Sequence, residues 1–459
     1  MRRARLALLA SAGLALAGCT TAPAYTPPSV PAAQAWREQG PWREVTTAPP
    51  AGAWWALFND AELTRLEERL DADAPSLAIQ AARYAQAQAT VGGARSSLFP
   101  QVGVGASRVR RRGAGESTDI GASLAYELDV FGRLRGQLAS ARAEANASAS
   151  DLAAVKLGLQ TQLAGLYFDL REFDARLALL RDTASAFQRA HELTATRREG
   201  GIASGLDVNR AETQLANAGA EIEEVAAARA VTEHAIAVLI GENPSAFSIA
   251  PQMQPFIPPN VPAGVPSTLL LRRPDIAAAE RRVAAANARI GVAKSAYFPS
   301  ITLAASTGYD AGGGDLFNAA NRTWAVGPLS IDLPLFDGGA RKARLKISQA
   351  DYDEAVAGYR NTVLTAFGEV EDGLSNASHQ SAQALDQAAA ARAAERTRDL
   401  ALTRYRDGAA NYLEVVTAQT AALDAQRALL QLRGDQMRNA ADLVRALGGF
   451  YQEPATRGD

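Results

Sequence analysis

The sequence predicts an α+β membrane protein in which short amphipathic strands alternate with very long helices. Three observations lead there. An export signal ends at the only cysteine of the chain. Long proline-free stretches of helical composition fill most of the remainder. A set of landmarks occurs twice, with a period-two segment inside each copy.

The balance of charge narrows the function classes. The 459 residues carry 47 Lys+Arg against 49 Asp+Glu, a net charge of −2. Nucleic-acid binders normally carry a basic excess, so that class is excluded. One cysteine excludes an internal disulfide and any cysteine-cluster metal site, and three scattered histidines offer little else. No cofactor is expected.

Arg2, Arg3 and Arg5 form a basic n-region and Leu6 to Leu16 a short apolar core. Cores of this length are signal peptides rather than membrane spans. Leu16-Ala17-Gly18-Cys19 matches the bacterial lipobox, which makes Cys19 the expected acylated N-terminus. Thr20 follows, where an Asp would favour retention in the inner membrane. Three acyl chains, at roughly 0.8 kcal/mol per buried methylene, would anchor the chain firmly. No later segment offers eighteen consecutive apolar residues, so any bilayer crossing must use strands closed into a barrel.

Seven prolines between Thr20 and Ala51 read as an extended arm. Proline is then absent between Pro100 and Pro244 and between Pro334 and Pro454, where Ala, Leu, Gln, Glu and Arg dominate and long helices are expected. Ser97-Leu98-Phe99-Pro100 recurs as Ala296-Tyr297-Phe298-Pro299, and Ile240-Gly241 as Leu447-Gly448. Gly132 and Gly201 are 69 residues apart, as are Gly339 and Gly408; Gly201 to Gly241 and Gly408 to Gly448 are both 40. Only the middle differs, 31 residues from Pro100 to Phe131 against 37 from Pro299 to Phe336, which fits a variable loop. The chain reads as two tandem copies of about 190 residues.

Each copy switches from helical spacing to alternation. Helical spacing covers Ser76–Ser97 and Pro274–Tyr297. Ile120, Ala122, Leu124, Tyr126, Leu128 and Val130 then alternate with small or polar residues, as do Ile301, Leu303, Ala305, Thr307 and Tyr309. In the partner strand Trp324 and Val326 give way to Leu329 and Ile331, so a bulge is expected at Gly327-Pro328. Alternation alone fits a soluble hairpin packed on helices equally well; the lipoprotein signal and the repeat favour outer-membrane strands. Four strands cannot close, eight would be filled by side chains, and twelve leave a pore. A channel would therefore be a trimer. In the helix from Arg133 to Arg198, about 100 Å long at 1.5 Å per residue, Leu163, Leu166, Leu170, Phe173, Leu177, Leu180, Ala184 and Phe187 form a heptad seam.

Trp54-Trp55-Ala56-Leu57-Phe58-Asn59-Asp60, Leu270-Leu271-Arg272-Arg273-Pro274-Asp275-Ile276 and Ile290-Gly291 with Phe298-Pro299 resemble the hallmarks of the outer-membrane efflux proteins, specifically the lipoprotein branch of the TolC/OprM type. The resemblance covers nearly the whole mature chain. It implies a homotrimer with a twelve-stranded β-barrel, four strands per protomer, continuing into a long periplasmic α-helical barrel. It implies the exit duct of a tripartite pump, with a periplasmic adaptor and an inner-membrane transporter of the resistance-nodulation-division type. The organisation expected is a signal peptide 1–18, an acylated arm 19–60 and a first repeat 61–245, with hairpin about 100–131, long helix about 133–199 and return helix about 206–240. An equatorial connector 246–265 leads to a second repeat 266–449, with hairpin about 300–336, long helix about 339–406 and return helix about 413–447. A tail 450–459 ends the chain. Pro274 and Asp275 read as a helix start at the equator.

The resemblance also places a periplasmic gate at Leu413, Glu414 and Thr417, with Tyr405, Asp207 and Arg210 as latch partners, and adaptor-docking tips at Gly200, Gly201, Ile202, Gly408 and Ala409. Many relatives carry an acid where Thr417 stands, so a second carboxylate ring is missing. Enzyme motifs are lacking. His191-Glu192 has no second His at zincin spacing, Ser204 is misplaced for a nucleophile elbow within Gly201–Gly205, and Gly312-Gly313-Gly314 lacks the Lys of a phosphate loop. Arg110, Arg111 and Arg112 near the first hairpin tip read as a solvated basic loop or a contact for acidic lipopolysaccharide. The alternative function is a lipid-anchored periplasmic adaptor or scaffold with no pore. An adaptor would carry one helical hairpin between lipoyl-like domains, and a scaffold would lack alternating strands.

Overall fold

The computed structural model describes residues 21, 23–31, 33–38, 52–112, 115–253, 256–259, 261, 272–312 and 315–449. Cys19 with the signal peptide, Leu270-Leu271, Gly313-Gly314 and the tail 450–459 lie outside the described residues. The elements run in the order α1 (Ala61–Asp73), α2 (Pro75–Ser96), β1 (Gln101–Arg111), β2 (Gly115–Glu127), α3 (Arg133–Glu199), α4 (Gly205–Leu239), α5 (Pro274–Ser295), β3 (Ser300–Ala311), β4 (Arg322–Asp332), α6 (Ala340–Arg406) and α7 (Tyr412–Ala446). Helices α3 and α6 are both 67 residues long, and α4 and α7 both 35. No described helix is long and apolar enough to cross a membrane. The chain divides into two compact units.

The first unit comprises Met1–Val30, Ala81–Asp151 and Asp275–Val363 and holds the sheet. Its strands pair antiparallel in the order β1-β2-β3-β4, so β1 and β4 are edges. The register sorts the side chains. Val102 and Val104 stand opposite Leu124 and Ala122. Leu124 and Ala122 in turn face Ala305 and Thr307, and Ile120 faces Tyr309. Leu303, Ala305 and Thr307 meet Leu329, Val326 and Trp324. One face is thus apolar along most of its length. The other carries Gly103, Gly105 and Ser107, then Asp119, Gly121 and Ser123, then Ser306, Gly308 and Asp310, small or polar throughout.

β4 keeps its apolar residues on one face only because it is bulged. The pairing jumps from Leu303↔Leu329 to Ala305↔Val326, so Gly327 and Pro328 together oppose one residue of β3. Gly327 takes φ +107°, a conformation closed to most side chains. Without the extra residue, Trp324 and Val326 would turn to the polar face. The bulge expected from the phase shift is therefore present. Its consequence is continuity of the apolar surface. The length difference between the hairpins falls in the β3–β4 connection, which includes a short 3₁₀ turn at Ala319–Asn321.

At the base of the sheet Phe131 stacks on Phe298, centroids 4.9 Å apart, and Phe99 and Phe336 are exposed nearby in sequence. Asp129 starts α3 by accepting from the Leu134 and Arg135 amides, both 2.9 Å. Asp337 does the same for α6, accepting from the Gly339 and Arg341 amides at 3.0 Å. The N-terminal arm is extended and pinned along α5. Thr21 Oγ1 donates to Gly291 O (2.8 Å), the Asn287 side chain donates to Pro23 O (2.9 Å), and the Tyr25 hydroxyl bonds Glu280.

The second unit comprises Pro31–Gln80, Leu152–Pro274 and Leu364–Asp459. Asp60 caps α1, its Oδ1 accepting from the Glu62 and Leu63 amides at 2.9 and 3.1 Å, while its Oδ2 accepts from the Tyr167 hydroxyl at 2.6 Å. Leu63, Leu66 and Leu70 bury the inner face of α1, and Trp54 in the preceding 3₁₀ turn Trp54–Phe58 donates to Gln160 Oε1 (3.3 Å). The α3 seam is buried at Leu163, Leu170, Leu177, Leu180 and Phe187.

Charge is also buried in this unit. Asp174 accepts from Arg171 Nη1 (3.0 Å) and Arg229 Nε (2.6 Å), and these arginines donate to Ala250 O (2.9 Å) and Ile249 O (2.7 Å). The connector is thereby stapled to α3 and α4. Arg273, read from sequence only as part of a helix start, is itself buried and donates to Glu369 (2.6 Å) and Ala446 O (3.2 Å). Pro274 does begin α5, with Asp275 at its first turn.

Candidate functional site

The predicted site residues gather where α3 turns into α4 and α6 into α7, all in the second unit. Both turns close the same way. Gly201 and Gly408 take φ +74° and +78°, while Ile202 N donates to Arg197 O and Ala409 N to Arg404 O, both 2.8 Å. These are Schellman ends, which need a left-handed residue where a Cβ is costly. The outgoing helices are capped at once. Ser204 and Asp207 form a reciprocal capping box on α4, and Asn411 Oδ1 accepts from the Glu414 amide (3.0 Å) on α7. The turns leave apolar side chains in solvent, with Ile202 72% and Leu413 49% exposed in one protomer.

Helical spacing divides the start of α7 into two faces. Tyr412, Val415 and Gln419 are buried, whereas Leu413, Glu414 and Thr417 share the exposed face. Thr417 Oγ1 donates back to Leu413 O (2.9 Å), so its hydroxyl is held by its own helix. Glu414 lies 3.6 Å from Arg404, an exposed pair of small net worth.

The latch residues separate. Asp207 and Arg210 are together, 3.6 Å apart on α4. Tyr405 is buried instead among Ala190, Ala211, Tyr412 and Val415, with its hydroxyl 3.2 Å from Thr194 Oγ1. Arg197 lies over the Tyr405 ring, 4.6 Å from its centroid, and donates to the Tyr405 carbonyl. Tyr412 packs edge-on against Tyr405 at 5.5 Å; burial, then the proximity of Tyr405 and Asp207, pushes its hydroxyl up to about 12. Thr194, Arg197 and Tyr412 were missed by sequence reasoning. Only the Tyr405…Tyr412 spacing across a turn could have pointed to any of them.

A sheet with one apolar face and two free edges among the described residues, joined to helices of 67 residues that end in paired turns, defines a channel protein of the outer membrane. Comparison with known proteins agrees. The family model described as "Outer membrane efflux protein" matches residues 66–242 and 265–449. The chain is 32% identical to the probable efflux pump outer membrane protein TtgC of Pseudomonas putida, over 97% of this chain and 95% of that protein. Among solved structures it is similar to the outer-membrane channel OprN, with a TM-score of 0.87 and 32% identity over 94% of this chain and 99% of that one. The open-state MtrE outer membrane channel of Neisseria gonorrhoeae gives a TM-score of 0.83 and 27% identity, covering 95% and 99%. The chain belongs to the outer membrane efflux protein family. It is an outer-membrane exit duct that extends into the periplasm.

Proposed function

We propose that three copies of this chain, each built from two tandem repeats, close one twelve-stranded barrel continued by an α-helical barrel, and that the assembly conducts small molecules passively from an inner-membrane transporter and a periplasmic adaptor to the exterior. The observation that carries this reading is the sheet itself. Its edges β1 and β4 are unpaired among the described residues, and its apolar face, with Trp324, Val326, Leu329 and Ile331 exposed, needs lipid. Three copies join edge to edge and turn the small, polar face to the lumen. The equal lengths of α3 and α6, and of α4 and α7, support the duplication. Helix α2, in which no residue is fully buried within one copy, supports burial against further copies.

Leu413 would form an apolar ring at the periplasmic end and Glu414 a ring of three carboxylates favouring cations. The turns at Gly200, Gly201, Ile202, Gly408 and Ala409 would receive the adaptor, with a transporter of the resistance-nodulation-division type beneath. Acylation of Cys19 is supported from the arm. Thr21, two residues on, is bonded to Gly291 O and Phe131 O beside the Phe131–Phe298 stack. Two residues span at most about 7 Å, so the acyl chains would enter lipid at the base of the barrel.

Purified full-length protein should migrate as a heat-modifiable trimer and give discrete conductance steps in planar bilayers. A monomer without conductance would refute the duct.

A further inference from the structure

A cavity of about 430 Å³ in the second unit is lined by Phe58, Tyr167, Phe168, Phe256, Met437 and Arg171. It lies away from the tips and has no part in the duct reading. We propose that it binds an uncharged aromatic molecule of two or three rings carrying one hydrogen-bond acceptor.

The volume falls within the range of small-molecule sites and is about three times that of a cavity that takes benzene. The walls set the body of the ligand. Phe58 and Phe168 lie 4.8 Å apart at a tilt, and Tyr167 meets Phe168 edge-on at 5.8 Å. Such rings receive another ring by offset or edge contacts, and the Met437 thioether adapts to its outline.

Arg171 sets the polar handle. Its side chain is 3% exposed and lies over the Tyr167 ring at 4.8 Å; Nη1 is taken by Asp174 and Ala250, Nη2 reaches Gln252, and Nε is buried with no hydrogen-bond partner among the described residues. A buried donor without an acceptor is a standing cost that a ligand oxygen would relieve. The charge balance makes that ligand neutral. Arg171 and Arg229 are already matched by Asp174 and Glu233, and Asp60 adds a further carboxylate at the cavity wall. An anion would meet net negative charge, whereas a carbonyl, ether or phenol oxygen would not. Asn59, which also lines the cavity, takes φ +49° as the C-cap of the Trp54–Phe58 turn, its amide donating to Ala56 O. Ile257, 70% exposed, marks the outer lip.

Benzophenone has two rings and one carbonyl, and on irradiation inserts into nearby C–H bonds, methionine's among them. Full-length protein photolabelled with it should carry a saturable adduct at Met437 or the lining rings, mapped by peptide mass spectrometry. 2-Naphthol should compete about tenfold better than naphthalene, the fold expected for one buried hydrogen bond, and 2-naphthoate should compete less well than 2-naphthol. Ile257→Trp, which fills the lip without touching the buried ion pairs, should abolish the adduct. Arg171→Lys should erase the preference for 2-naphthol. Absence of saturable labelling, labelling undiminished in Ile257→Trp, or equal competition by naphthalene and 2-naphthol on the wild type would overturn the proposal. None of these results would alter the conductance that tests the duct.

Discussion

Glu67 offers the sharpest test of the energetics. It lies on the inner face of α1 between Leu66 and Leu70, fully buried, with neither carboxylate oxygen hydrogen-bonded among the described residues. Burial, reinforced by Asp71 and only partly offset by Lys156, holds its pKa well above the ordinary carboxylate range. The folded protein therefore keeps a proton that the unfolded chain releases above about pH 4.3. Where the native state binds the extra proton, stability falls as pH rises, by about 1.4 kcal/mol per pH unit between the ordinary pKa and the folded one. An unpaired neutral carboxyl costs a further 1–3 kcal/mol or about that. Glu67→Gln should remove the pH dependence and leave the polar orphan. Glu67→Leu should remove both and stabilise α1 by about 1–3 kcal/mol. The assay is hydrogen-exchange protection of amides 61–73 between pH 5 and 9, corrected for intrinsic rates. Equal pH dependence in wild type and Glu67→Leu, or lower protection in Glu67→Leu, would refute the reasoning.

Four further outcomes are expected. Cys19→Ala should abolish incorporation of radiolabelled palmitate; label entering the variant would remove the lipobox assignment. Bulky charged residues at both Gly201 and Gly408, which sit at φ +74° and +78°, should uncouple efflux while trimers persist, and unchanged drug resistance would exclude the turns as docking sites. Leu413→Ala with Tyr405→Phe, the latter breaking the 3.2 Å contact with Thr194, should raise resting conductance and vancomycin sensitivity. Glu414→Gln should lower cation selectivity, and bilayer recordings unaltered in both variants would end the gate assignment.

What could be read from sequence divides by the range of the interaction. The helical spans are legible because their stops are local: no proline interrupts α3 or α6, and glycine stands at each turn. Strands β2 and β3 announce themselves by alternation. β1 does so only in its first half, since Arg108 and Arg110 stand where Val102, Val104 and Ala106 would be continued by apolar residues. Contacts across distance were not legible. Tyr405 meets Thr194 and Arg197 more than 200 positions away, and no spacing rule names such partners. Buried charge was equally hidden. Glu67, Arg171 and Asp174 sit among charged neighbours that resemble a solvated helix face, and only packing reveals which of them leave water.

The glycine stops constrain how such a chain can change in length. α3 and α6 end after the same 67 residues, at Glu199 and Arg406, each two residues before its left-handed glycine. One inserted residue in either would advance its turn by about 1.5 Å and rotate every later side chain by about 100°, burying the wrong face along the seam. A tolerated change must come in steps of about seven residues, the heptad repeat, and in both helices at once. Lengthening or shortening the duct is therefore a quantised and paired event, and lineages that differ in periplasmic reach should differ by matched whole heptads.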